Sequence, residues 1–283
     1  MERYDAVNPY HAWYEHWHRY HWIAPLINNK IVADLACGEG YGSALLGHQA
    51  KQVWAFDIDQ KTIEQARDKY QHLDNVKFKA ADVLKTPMKN SSMDAVISFE
   101  TLEHLSSHSE LLNEFKRVLK ENGLVVISTP DKEVYSATGD HNEFHVKELT
   151  AKEFQQLICE HFDHALFFGQ QFQTTSLISP QQEIEKTINT NAMFVAQGDE
   201  NISAKNEIPP NYLIAVASDN NETLAPFKQL SASTFNDVKN SLFFHYQEQG
   251  DRLFETDQRL ALLEQQLKQH SVVINQLLAR LGL

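Results

Sequence analysis

The chain is short of cysteine, of positive charge and of long apolar runs, and each shortage closes off a class of function. Two cysteines, Cys37 and Cys159, cannot build a disulfide framework. Lysine and arginine number 25 against 38 aspartates and glutamates, a net charge of -13. The phosphate attraction behind nucleic-acid binding is therefore missing. No window approaches the ~18 apolar residues that a membrane-spanning helix needs, and the first residues carry no apolar signal region. The expected location is the cytoplasm. Two nucleotide signatures are absent as well: there is no G-x-G-x-x-G and no phosphate loop ending in Gly-Lys-Ser/Thr. His18 and His21 could share a helix face, but no companion cysteine or Glu-x-x-His element accompanies them. No Asp/Asp/Asn cluster is legible either, so no metal site is expected.

What is present begins with 283 residues, 42% of them apolar, enough for one sizeable core and something extra. The most telling stretch is Val32-Ala33-Asp34-Leu35-Ala36-Cys37-Gly38-Glu39-Gly40-Tyr41-Gly42. An apolar run, Ile31 to Leu35, reads as a buried strand that empties into a turn almost without side chains. Asp34 and Glu39 argue against a phosphate guest, because nothing basic lies nearby to neutralise it. A nucleoside carrying a positive centre suits the loop better; a purely structural glycine turn is the plainer alternative.

Further strands follow at Gln52 to Phe56, Val76 to Ala80, Asp94 to Phe99 and Gly123 to Thr129, each ending near an acidic or polar group. Asp57, at the end of the second strand, can accept both hydroxyls of a ribose. Asp82, after the third, can accept from an exocyclic amine. The fourth runs into Glu100-Thr101-Leu102-Glu103-His104-Leu105. Open α/β sheets bind ligands at these C-terminal strand ends. One aspartate alone reads equally well as a helix cap; several in the right order do not.

The series DLACGEGYG, FDID, AAD, DAVISFETLEHL and ENGLVVISTP resembles the class I S-adenosylmethionine-dependent methyltransferases, over roughly residues 8 to 218. Three further stretches resemble methyltransferases found with bacterial polysaccharide-biosynthesis enzymes: His18-Arg19-Tyr20, SFETLEHL and Asn142-Glu143-Phe144-His145-Val146-Lys147-Glu148-Leu149. The resemblance implies an α/β fold, a doubly wound, seven-stranded, mostly parallel sheet. It implies S-adenosylmethionine as cofactor, with S-adenosylhomocysteine as product. Cofactor contacts would come from Arg19, Asp34, Ala36, Gly38, Tyr41, Gly42, Asp57, Ile58, Asp82, Val83 and Glu100. For an alcohol acceptor a base must take the proton. His104, near the sulfonium, is the first candidate, with His145 or His141 as alternatives and Glu103 or Glu100 orienting the imidazole.

Helix ends are readable too. Asp59 caps a helix from Gln60 to Tyr70, and Ser107 to Glu110 and Thr150 to Glu153 both fit the S/T-x-x-E capping box. The first box opens a helix stopped near Gly123, the second one from Ala151 to His161. Strands are expected at 165–169 and 212–217. The domain is read as residues 1–222, with 170–211 as a substrate cap, 223–241 as a polar linker and 242–283 as a coiled-coil helix. In that tail Tyr246, Leu253, Leu260, Leu267, Ile274 and Leu281 recur at heptad spacing, with Gln249, Thr256, Leu263, His270 and Leu277 as companions. A homo-oligomer is expected, and a docking partner from polysaccharide assembly.

The preferred acceptor is a sugar hydroxyl of a surface glycan or its precursor. A small metabolite, quinone or lipid precursor is the second reading. A catalytically silent scaffold is the third, and a nicotinamide dehydrogenase is the remaining rival for the βαβ pattern.

Overall fold

The computed structural model describes residues 11–137, 142, 144–172, 194–195, 204–205, 210–230, 232–235 and 241–281. They fall into two compact units, Met1–Phe235 and Asn236–Leu283.

In the first unit, apolar runs with alternating faces become strands: β1 (Ile31–Leu35), β2 (Gln52–Asp57), β3 (Val76–Ala80), β4 (Met93–Phe99), β5 (Leu119–Pro130) and β6 (His164–Gln170). β7 (Phe194–Val195) and β8 (Ala204–Lys205) form a separate two-stranded ribbon, and β9 (Tyr212–Ser218) completes the main sheet. That sheet has seven strands in the order β3-β2-β1-β4-β5-β9-β6. The pairs among β3, β2, β1, β4 and β5 are parallel, whereas β9 runs antiparallel to both β5 and β6. The chain winds outward from β1 to β3, then returns to lay β4 on the other side of β1. This reversal opens a crevice beyond the C-terminal ends of β1 and β4, where such sheets hold ligands.

Helices cover both faces: α1 (His11–Ile23), α2 (Tyr41–Gly47) and α3 (Gln60–Lys69) on one, α4 (His108–Val118) and α6 (Ala151–His161) on the other, with the short α5 (Lys132–Ala137) after β5. Alternation along the strands divides the core. Val32, Val53, Ala55, Ile97 and Val126 pack with Ile23, Leu46 and Ile63. Ala33, Phe56, Val96, Val125 and Ile127 pack with Leu111, Phe115, Phe154 and Ile158 on the opposite face. At ~1.5–3 kcal/mol per fully buried large aliphatic or aromatic side chain, these two layers hold the domain together.

The structure corrects several expectations. The helix opened near Ser107 ends at Val118 rather than near Gly123, because Leu119 already pairs with Met93 in the sheet. Ser107 makes no side-chain cap, whereas Thr150 and Glu153 form both bonds of the capping box and Asp59 accepts from the Thr62 amide at 2.7 Å. The linker does not begin at residue 223: two 3-10 turns, Asn221–Leu224 and Phe227–Gln229, bury Leu224 and Phe227 in the first core layer. The cap expected over 170–211 lies mostly outside the described residues, as does His141. The tail is one helix, α7 (Ser241–Leu281), of 41 residues, ~60 Å long at 1.5 Å per residue.

Candidate active site

The crevice is built from strand tips. Two non-glycine residues take left-handed backbone there: Ala36, directly after β1, at φ 60°, and Glu100, directly after β4, at φ 52°. Such strain persists where surrounding structure enforces it, and it gathers at ligand sites. Here both residues flank the same crevice.

Between β1 and α2 the loop is braced from β2. The Asp57 carboxylate accepts from the Gly38 amide through Oδ2 and from the Asp59 amide through Oδ1, each at 3.0 Å. Gly38 has φ +51°, and a Cβ added there would meet nothing within 4 Å, so its outer side opens onto free space. Ile58, 61% exposed, stands at the rim beside Asp57. Asp82 is exposed at the end of β3 and accepts from the Leu84 amide at 2.9 Å. The Val83 side chain belongs to the core, leaving its backbone for the rim.

Two of the expected ligand contacts also serve the framework. Asp34 is fully buried, with Tyr20 Oη donating to Oδ1 at 3.1 Å and Ser43 Oγ to Oδ2 at 2.5 Å. Burial, despite these two donors, pushes its pKa up to about 7. It ties α1 and α2 to β1 rather than facing the crevice. A side chain at Gly42 would collide with the Tyr20 ring, so this glycine admits the close approach of α1. Tyr41 stacks on Trp17 with ring centroids 5.5 Å apart.

Arg19 lies on the inner face of α1, 1% exposed, with Nη1 3.2 Å from Glu100 Oε1 and its guanidinium 4.8 Å from the Tyr212 ring centroid. Among the described residues, none of its nitrogens finds a partner in hydrogen-bond geometry. Glu100 is held in turn by Ser128 Oγ, which donates to Oε1 at 2.6 Å. Glu15, beside Arg19, is pushed up to about 7, by burial first and against the pull of Arg19. The sequence reading missed Glu15. Its only signal was an acidic residue one helical turn before Arg19. His18 and His21, weighed for a metal, face Phe235 instead, with centroids 5.6 and 5.4 Å away.

On the other side of Glu100, a 3-10 turn (Leu102–His104) presents Glu103 and His104. The amides of Val146 and Lys147 donate to the Glu103 carbonyl at 2.8 and 3.0 Å, which draws His145 against His104. The two imidazole centroids lie 5.2 Å apart. His104 Nδ1 is 2.9 Å from the Phe144 carbonyl, an obligate acceptor, so Nδ1 carries a proton and, in the neutral ring, Nε2 has the lone pair. His145 Nδ1 faces Glu148 Oε1 at 2.5 Å, and its Nε2 lies 3.1 Å from the amide nitrogen of Asn142. Glu103 is 1% exposed and accepts from Thr129 Oγ1 at 3.1 Å. Burial, then the neighbouring Glu100, push its pKa well above the ordinary carboxylate range. The three residues named from sequence as catalytic thus meet at one point.

Comparison with known proteins agrees with this geometry. Residues 33–127 match the family described as methyltransferase domain. Over 143 residues the chain is 34% identical to a Mycobacterium tuberculosis protein named a probable S-adenosylmethionine-dependent methyltransferase, covering 50% of this chain and 51% of the relative. It is 35% identical over 111 residues to demethylmenaquinone methyltransferase of Clavibacter sepedonicus, covering 38% of this chain and 45% of that one. Among solved structures, YcgJ protein of Bacillus subtilis shares the fold at a TM-score of 0.50 and 17% identity, covering 72% of this chain and 100% of its own. A S-adenosylmethionine-dependent methyltransferase of Thermotoga maritima does so at 0.51 and 14%, covering 76% and 97%. The chain spans about half the length of the curated relatives it matches.

This chain is similar over residues 33–127 to the family described as methyltransferase domain, and its strand order and glycine loop agree with its similarity to S-adenosylmethionine-dependent methyltransferases. Its residues fit the cofactor. The open side of Gly38 leaves room for a close guest, Asp57 presents a carboxylate at the tip of β2, and the buried Arg19 has donors without a hydrogen-bond partner among the described residues.

Proposed function

We propose that this protein moves a methyl group from S-adenosylmethionine to a hydroxyl oxygen. The Gly38 loop, Asp57, Ile58 and Asp82 hold the donor, and Glu103, His104 and His145 activate the acceptor. The observation that carries this reading is the pair of imidazoles, 5.2 Å apart, on the rim of the crevice that the glycine loop lines. The donor supplies an electrophilic methyl carbon when bound. Aligning an oxygen with that carbon contributes on the order of 7–11 kcal/mol. A hydroxyl must also lose its proton, and catalysis of that loss adds about 10²–10⁴-fold. The cluster offers the lone pairs this requires.

The acceptor we favour is a sugar hydroxyl of a surface glycan or its precursor, in the cytoplasm. Support comes from the stretches around His18-Arg19-Tyr20, Glu100 to Leu105 and Asn142 to Leu149, which frame both sides of the crevice. The net charge of -13 argues against a nucleic-acid acceptor. A small metabolite, quinone or lipid precursor is the second reading, and the relative acting on demethylmenaquinone favours it. On either reading α7 joins copies of the chain and offers a helix to an assembly partner.

Calorimetry with S-adenosylhomocysteine tests the donor side. Binding is expected, weakened at least about tenfold by Asp57→Ala, since a charged hydrogen bond contributes ~1.5–3 kcal/mol. No binding at millimolar ligand would sink the enzymatic reading and leave the scaffold. A mass-detected screen of nucleotide sugars, short oligosaccharides and demethylated quinones then assigns the acceptor.

A further inference from the structure

The geometry points to a divalent transition-metal site at Glu103, His104 and His145, on the acceptor side of the crevice. The inference rests on the methyltransferase reading for its purpose, though not for its chemistry. One ligand atom from each of the three residues lies within 4.8 Å of the others, close enough to converge on a single ion after small side-chain shifts. Two imidazoles and one carboxylate are a donor set that suits borderline first-row cations such as Zn²⁺ or Co²⁺. Mg²⁺ and Ca²⁺ prefer oxygen cages.

The surroundings are those of ligands held in place. Metal-bound histidines characteristically donate their second ring N–H to a carbonyl or carboxylate, which fixes the tautomer. His104 donates from Nδ1 to the Phe144 carbonyl and His145 from Nδ1 to the Glu148 carboxylate, so in the neutral rings both lone pairs fall on Nε2. Asn142 Nδ2 covers the lone pair of His145 at 3.1 Å and must turn aside for a cation. Glu103 Oε2 is anchored by Thr129, while Oε1 points to His104 Nε2 at 3.9 Å. That 3.9 Å is too long for a hydrogen bond and leaves a gap between two ligand atoms.

Charge argues the same way. Glu103 is 1% exposed, and Arg19 already pairs with Glu100. A buried carboxylate that is ionised is paired or coordinates a metal. The His104 side chain remains 32% exposed, so an ion held here keeps an open side, the arrangement of catalytic rather than structural metal sites. An acceptor hydroxyl bound on that side would be acidified by the ion, with its proton released to water, and the imidazoles would serve as ligands.

The test is a metal titration of the full chain after EDTA treatment and dialysis, by calorimetry with ZnCl₂, CoCl₂ and MgCl₂ as probes. One equivalent of Zn²⁺ or Co²⁺ is expected, with Mg²⁺ weaker. Co²⁺ should add a visible absorption band that EDTA removes. His104→Asn and His145→Asn should each weaken binding by at least about tenfold, the low end for disturbing a metal site. His164→Gln, at the start of β6, should leave it unchanged. S-adenosylhomocysteine binding by the variants shows that they fold. Substoichiometric binding by the wild type, or equal binding by the His104→Asn/His145→Asn double variant, would overturn the site. Zn²⁺ binding without S-adenosylhomocysteine binding upholds the metal site and overturns the donor reading; the opposite pattern does the reverse.

Discussion

Asp34 is a carboxylate without water around it, and the consequence can be measured. Its folded pKa, about 7, lies above the ordinary value of 3.8. Between those two values the folded protein keeps a proton that the unfolded chain has released, so this group's contribution to stability falls as pH rises. The full effect is on the order of 4 kcal/mol at ~1.4 kcal/mol per pKa unit. His16 and His18 act in the opposite sense. Burial lowers both, His18 to about 4, so they charge more readily in the unfolded chain and favour folding as pH rises toward the ordinary 6.5. The informative quantity is therefore a difference. Asp34→Asn should gain melting temperature relative to the wild type from about pH 4 to about pH 7, and the gap should be constant above that. A gap independent of pH would show that Asp34 is not protonated in the folded protein. Asp57, by contrast, keeps two amide donors at the rim, and its place at a strand tip was legible in the sequence.

Helix caps show how far a local pattern reaches. Ser107 and Thr150 begin the same S/T-x-x-E spacing, yet only Thr150 forms the reciprocal bonds. Thr150 enters α6 at φ -72°, ψ 161°, the extended backbone a cap requires. Ser107 enters α4 at φ -119°, ψ 87°, directed by the preceding turn, whose Leu102 is packed in the core. In urea unfolding, Thr150→Ala should cost about 1 kcal/mol and Ser107→Ala under about 0.5. Equal losses would mean that the Ser107 cap forms in solution. The boundary between α4 and β5 was misplaced for a related reason: Leu119 lies at helical spacing, but Met93 recruits it to the sheet.

At the scale of the molecule, α7 stands as a compact unit of its own. No described helix is long and apolar enough to cross a membrane. Yet Tyr246, Leu253, Leu260, Leu267 and Ile274 are 49 to 68% exposed. We propose that this heptad seam packs against another copy of the chain. Light scattering should report an oligomer for the full chain and a monomer for a chain ending at Phe235, with S-adenosylhomocysteine binding retained. An unchanged mass would remove α7 from assembly. The truncation belongs after Phe235, not near residue 222, because Leu224 and Phe227 pack in the core and Phe235 lies against His18 and His21.

Periodicity and punctuation are local properties, so the amino-acid order alone determined the strands, the glycine loop, the acidic tips at Asp57 and Asp82, and the long terminal helix. Each is set by residues within a few positions of one another. Burial and convergence are not local. Only the packed sheet decided that Asp34 turns inward to Tyr20 and Ser43, that Gly42 makes room for Tyr20, and that two turns after β9 join the core. The meeting of Glu103 with His145 belongs to the same class. It depends on two amides from a distant loop closing onto one carbonyl at the tip of β4, a contact that the tertiary fold creates.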